Sequence, residues 1–177
     1  PGVDRSGDVM RHANMAGTSP NGGVVMAMGD DHTGESSTTL HQSDFAMLDA
    51  YMPIVSPAGV QEILDFGQYA WALSRFAGVW VGLKTMKDIE VTSVVDADPH
   101  RMQFVTPKID MPDGGLSIRL LDTPQLQEAR MIDHKRLAAE AFSRVNGMDQ
   151  RKWGKSGARI GFVAAGKNWL DLTHALS

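Results

Sequence analysis

Apolar residues along this chain fall into short charge-free runs and longer stretches with helical spacing. The run Gly23-Val24-Val25-Met26-Ala27-Met28 reads as a strand buried on both faces of a parallel sheet, and Val79-Trp80-Val81-Gly82-Leu83 as the next buried strand. Ile54-Val55 is a shorter strand between them. Three helical stretches accompany these runs. Residues 5–17 set Met10 and Ala13 or Asn14 on one face, and residues 41–52 carry Phe45, Leu48 and Met52 before the stop at Pro53. The third opens at Ser56, Pro57 and Glu62, presents Val60, Ile63, Leu64, Gly67, Ala70, Trp71 and Ser74 along one side, and ends at Gly78. Strand, helix, strand, helix, strand over residues 23–83 predicts an α/β fold, a parallel sheet with helices on both faces.

Beyond Lys84 the pattern loosens. Residues 90–95 and 102–106 alternate as edge strands would. Residues 107–124 hold Pro107, Pro112, Gly114, Gly115 and Pro124, the composition of a linker. A second amphipathic helix follows over 123–145, with Leu126, Ala129, Ile132, Leu137, Ala141 and Phe142 as candidate buried positions. The glycine-bearing, charged tract 147–157 reads as a boundary. Ile160 to Gly166 then predicts a buried strand, and 168–176 a helix, together the first βα unit of a further domain. The division predicted is 1–95, a connecting region 96–157, and 158–177. The opening PGVDRSGD and the uncapped helical pattern at Ser177 read as an internal excerpt of a larger protein.

Composition narrows the function classes. A formal net charge of −4 over 177 residues leaves no cationic excess for phosphates, so nucleic acid is not an expected partner. No apolar stretch approaches the ~20 residues a membrane helix needs, so no membrane partner is expected either. The absence of cysteine removes disulfides, thiolate metal sites and a Cys nucleophile, and it fits a cytoplasmic protein.

Candidate chemistry concentrates where the first strand breaks into Gly29-Asp30-Asp31-His32 and then Ser36-Ser37-Thr38-Thr39, since ligands of open α/β sheets collect beyond the carboxyl ends of strands. Asp30, Asp31, His32, Glu35 and His41 are metal-ligand types, but their spacing matches no metal motif, and no metal site is assigned. The hydroxyl run can hold an anionic group such as a carboxylate, or it can serve as a turn and helix cap. The pairs Gly22-Gly23 and Gly114-Gly115 and the tripeptide Ala165-Gly166-Lys167 lack the residues of a phosphate loop. Trp71 and Trp80 read as core. No Ser-His-Asp arrangement follows from spacing, and no catalytic residue is named.

The stretches GVDRSGDVMRHANMAG, GGVVMAMGDDHTGESSTTLHQSDFA, PIVSPAGVQEILDFGQYAWALSRFAGVWVGLK and DADPHRMQFV resemble the long fused indolepyruvate ferredoxin oxidoreductases of bacteria, a branch of the thiamine-diphosphate-dependent 2-oxoacid:ferredoxin oxidoreductases. The resemblance implies a partial pyrimidine-binding domain over 1–95 and the start of a transketolase C-terminal-like domain over 158–177. It implies oxidative decarboxylation of an aryl 2-oxoacid, such as indole-3-pyruvate, with coenzyme A to acyl-CoA, carbon dioxide and reduced ferredoxin. Asp31, His32, Ser36, Ser37 and Thr38 become candidate substrate contacts. Thiamine diphosphate with Mg2+, and the [4Fe-4S] clusters of the full enzyme, are expected on the rest of the same polypeptide, in a homo-oligomer. The cofactor-activating carboxylate, a GDG…N pattern and cluster cysteines are missing from this stretch, so the excerpt alone is expected to be inactive. The alternative is a non-catalytic α/β module that docks on a catalytic partner.

Overall fold

A computed structural model describes residues 2–89 and 93–177. Its centre is a three-stranded parallel sheet in the order β1-β3-β2, formed by β1 (Val24–Asp30), β2 (Ile54–Val55) and β3 (Trp80–Met86). Helices α1 (Gly2–Ala16) and α2 (Asp44–Asp49) cover one face. Helix α3 (Val60–Ala77) covers the other, with α4 (Pro124–Arg130), a π turn (Met131–Lys135) and α5 (Arg136–Val145) continuing behind it. Helix α6 (Lys167–Leu176) closes the chain.

Alternation along the strands sorts side chains into two cores. Val55, Val81 and Leu83 meet Tyr69, Leu73 and Ala77 of α3, with Met131 and Phe142 behind them. The opposite core is rich in methionine: Met10, Met28, Met47 and Met52, whose flexible thioethers fill the space between two short helices and the sheet. Gly82 makes that packing possible, because a Cβ there would sit 2.1 Å from the Met47 sulfur. Buried polar side chains tie the layers together. Asn14 donates to the Ala50 carbonyl at 2.6 Å and accepts from the Trp80 N–H at 2.7 Å. The Ser74 hydroxyl donates to the Val79 carbonyl and accepts from the Val24 N–H.

Helix α3 starts at Val60, where Glu62 accepts the Ala58 N–H at 2.7 Å, and ends at Gly78 in the left-handed conformation. A Cβ on Gly78 would fall 2.0 Å from the Leu116 carbonyl oxygen, so the connecting region packs against this turn. Tyr51, between α2 and β2, adopts φ 57°. A left-handed tyrosine stores roughly 1–2 kcal/mol of backbone strain, and the side chain is substantially exposed. Tyr51→Gly is therefore expected to raise the unfolding free energy by about 1 kcal/mol, as a shift of the urea midpoint at constant slope.

Several sequence expectations are corrected. β1 is an edge strand, with Ala27 and Gly29 exposed, and β3 is the one buried by neighbours on both sides. Residues 102–106 are not a strand; Phe104 instead packs its ring against Tyr69 and Phe142. Of the predicted 90–95 strand, 90–92 lie outside the described residues and 93–95 are irregular. The run 160–165 is coil, mostly exposed, and ends in a buried turn at Gly166, because no described strand lies beside it to complete its hydrogen bonds. The helix predicted over 41–52 shortens to α2, and its buried side is Met47, leaving Phe45 and Leu48 in solvent. Trp71 and Leu64 on α3 are likewise exposed, while Tyr69, Leu73 and Ala77 face the sheet. In 123–145 the π turn rotates the helix, so that Met131, Lys135 and Ala138 are buried in place of Leu126, Ala129, Ile132 and Leu137, while Phe142 is buried as expected.

Candidate functional site

All three strands are parallel, so their carboxyl ends share one edge of the molecule, and the segment after β1 emerges there. Residues 31–43 form a closed loop. The Asp31 carbonyl accepts the His41 N–H at 3.0 Å in an isolated antiparallel bridge. Inside that bridge the Asp31 carboxylate collects the N–H groups of Glu35, Ser36 and Ser37 at 2.9–3.0 Å and the Ser36 hydroxyl at 3.1 Å. The backbone donors of Glu35 and Ser36 hold its carboxyl down to about 2. Glu35 pairs with Lys87 just after β3, which keeps its carboxyl below the usual range.

The loop is also pinned at its base. Buried Asp30 accepts the Ser43 N–H at 3.0 Å and the Ser43 hydroxyl at 2.5 Å. Lys84 stands beside it, 2.6 Å from the Asp44 carboxylate and 3.8 Å from that of Asp30. A cavity of about 460 Å³ lies between this loop, the first turns of α1 and the open side of β1 at Met26–Gly29. Ser36, Ser37 and His41 line it, and the His41 imidazole reaches Asp4 of α1 at 3.4 Å.

Of the five residues singled out from the sequence, Asp31, Ser36 and Ser37 come together at this cavity. His32 and Thr38 are exposed on the outer turns and do not line it. The carboxylates Asp30, Asp31 and Glu35 are each engaged by donors of their own chain, which leaves hydroxyls and one imidazole as the groups facing the space. Sequence reading missed Lys84 and Asp44. Their signal was a lone cation closing an apolar strand, next to the acidic start of a helix.

A second, larger cavity of about 860 Å³ runs along the outer side of α3, between Trp71, Phe76, Phe104 and Phe142. Its single ionisable lining residue, Arg75, lies over the Trp71 ring at 5.7 Å. That groove has shape without reactive chemistry, so the smaller cavity is the candidate site.

One family match bears on this arrangement. Residues 150–177 match the Indolepyruvate oxidoreductase domain. No curated protein and no solved structure matches the chain. The matched segment carries Trp153, its ring 4.9 Å from that of Trp169, and all of α6. Gly166, at the start of α6, abuts Ser56 and Pro57 just beyond the end of β2. Lys167 follows; its hydrogen bond to Asp171 raises its pKa, and the charge of Asp88, after β3, adds to the effect. The matched segment and the loop therefore meet the sheet at the same edge.

The resemblance brings thiamine diphosphate, Mg2+ and iron–sulfur clusters into question, and the residues present do not fit them. Among the described residues no three metal-ligating side chains converge, the loop carboxylates already have partners, and the chain has no cysteine. Among the described residues, no helix is long and apolar enough to cross a membrane.

Proposed function

We propose that this chain is an internal segment of an oxidoreductase that oxidatively decarboxylates an aryl 2-oxoacid such as indole-3-pyruvate, with coenzyme A as acyl acceptor and ferredoxin as electron acceptor. The family match over 150–177 carries the reading, and its meeting with the loop at one sheet edge supports it. Ser36, Ser37 and His41 would hold and orient the substrate carboxylate, with the Asp31 charge already satisfied by the loop's own N–H groups. Thiamine diphosphate, Mg2+ and the clusters would be held by other parts of the polypeptide. When bound, the cofactor would supply the carbanion chemistry of decarboxylation.

The test is ferredoxin reduction by the full enzyme, supplied with thiamine diphosphate, Mg2+, coenzyme A and indole-3-pyruvate. Ser37→Ala is expected to raise KM for the 2-oxoacid about tenfold with kcat nearly unchanged, the loss of one hydrogen bond to a charged group. Absence of ferredoxin reduction with every aryl 2-oxoacid would end this reading. The apolar groove on α3 favours a second one, a docking module without a reaction of its own. Under it, Trp71→Asp abolishes assembly and Ser37→Ala changes nothing.

A further inference from the structure

The loop at the sheet edge could be a mobile lid or a preformed wall, and its base decides between them. Asp30 ends β1 and Asp44 begins α2, so the two carboxylates mark where the loop leaves the scaffold and where it returns. Lys84 belongs to the central strand, its side chain is 12% exposed, and its ammonium lies between those two carboxylates, at 3.8 and 2.6 Å. The Asp30 side chain is fully buried and receives both donors of Ser43. Three side chains from three elements thus converge on a single closure. Lys87, from the turn after β3, reaches Glu35 inside the loop from the same strand end.

The geometry points to Lys84 as a positioning residue of the proposed 2-oxoacid site. Its ammonium fixes the separation of the loop's ends, and through them the placement of Ser36, Ser37 and His41 against the cavity. It does not line the cavity and touches no substrate. A charged amine suits this task, since two carboxylates converging near the end of a buried strand would otherwise repel each other. This inference rests on the function proposed above for its consequence in turnover, but the clamp itself does not.

Two measurements separate the parts. Hydrogen exchange of the full chain reads the clamp. Lys84→Met is expected to speed exchange of the Glu35, Ser36, Ser37 and Ser43 amides at least tenfold, Lys84→Arg to retain most of the protection, and Asp44→Asn, made at the partly exposed end of the pair, to loosen the loop less. Unchanged protection in Lys84→Met and Asp44→Asn overturns the clamp. Steady-state kinetics of the full enzyme reads the consequence. Lys84→Met is expected to raise KM for indole-3-pyruvate at least tenfold with kcat within about threefold, and Lys84→Arg to restore KM. A loosened loop with KM unchanged overturns the positioning role. If the wild-type enzyme turns over no aryl 2-oxoacid, the proposed function falls while the exchange result still decides the clamp.

Discussion

Asp30→Ala is expected to lower the unfolding free energy by roughly 3 kcal/mol and to strip protection from the whole of 31–43. The carboxylate is buried at the end of β1, with two hydrogen bonds from Ser43 and the Lys84 ammonium nearby. Removing it leaves the Ser43 N–H and hydroxyl without their acceptor, on a residue that is itself buried. The loss stays near the lower end of what breaking a buried ion pair costs because Lys84 keeps its partner Asp44 at 2.6 Å. Asp30→Asn preserves an acceptor for Ser43 and is expected to cost about half as much, roughly 1–2 kcal/mol. Urea unfolding with exchange mass spectrometry checks both. A loss below about 0.5 kcal/mol for the alanine variant would show that the loop closes without this carboxylate.

The strands of the sheet are legible in the sequence because each begins with a charge-free apolar run, which β1 and β3 then extend to Asp30 and through Lys84. The run at Ile160–Gly166 has the same character and remains coil, since apolar composition shows what can be buried and not what lies beside it. Strand order is silent in the same way, and so the edge position of β1 came only with the structure. Helix faces were misread where apolar residues spread around most of the circumference: on α3, Leu64 and Trp71 compete with Tyr69 and Leu73 for the buried side. In the second helix the π turn shifts the phase midway, which a single period cannot represent. The loop was found by composition, but its wiring was not readable. Asp31 closes on amides four to six residues ahead, which a turn-rich sequence permits without requiring. Lys84 meets Asp44 across forty residues, a contact that exists only once β3 lies beside β1.

Lys135 gives the second large effect, and its sign opposes the usual one for a partnered lysine. The side chain is fully buried in the π turn, where its ammonium donates to the Met15 and Ala16 carbonyls at the end of α1, at 3.3 and 3.4 Å. Those carbonyls favour a cation, but they do not replace the water that was lost. Burial, then the nearby Arg130 charge, push its pKa down to about 8, against a smaller opposing pull from Asp122. An unfolded chain holds that proton up to the ordinary value of 10.5, so between about pH 8 and 10.5 the unfolded state binds more protons than the folded one. Stability contributed by this residue therefore rises with pH through that window, by about 3 kcal/mol at its upper end, and below pH 8 the full cost of burying the charge is present. Lys135→Met keeps the aliphatic volume and removes the proton. Relative to the variant, the wild type is expected to gain about 2 kcal/mol in urea unfolding between pH 7 and 10. Tyr69, whose phenol burial pushes up, is present in both proteins and cancels in the difference. Parallel pH profiles for the two proteins would mean that the ammonium is as well solvated by the α1 carbonyls as by water, and that the buried lysine serves as a helix cap without electrostatic cost.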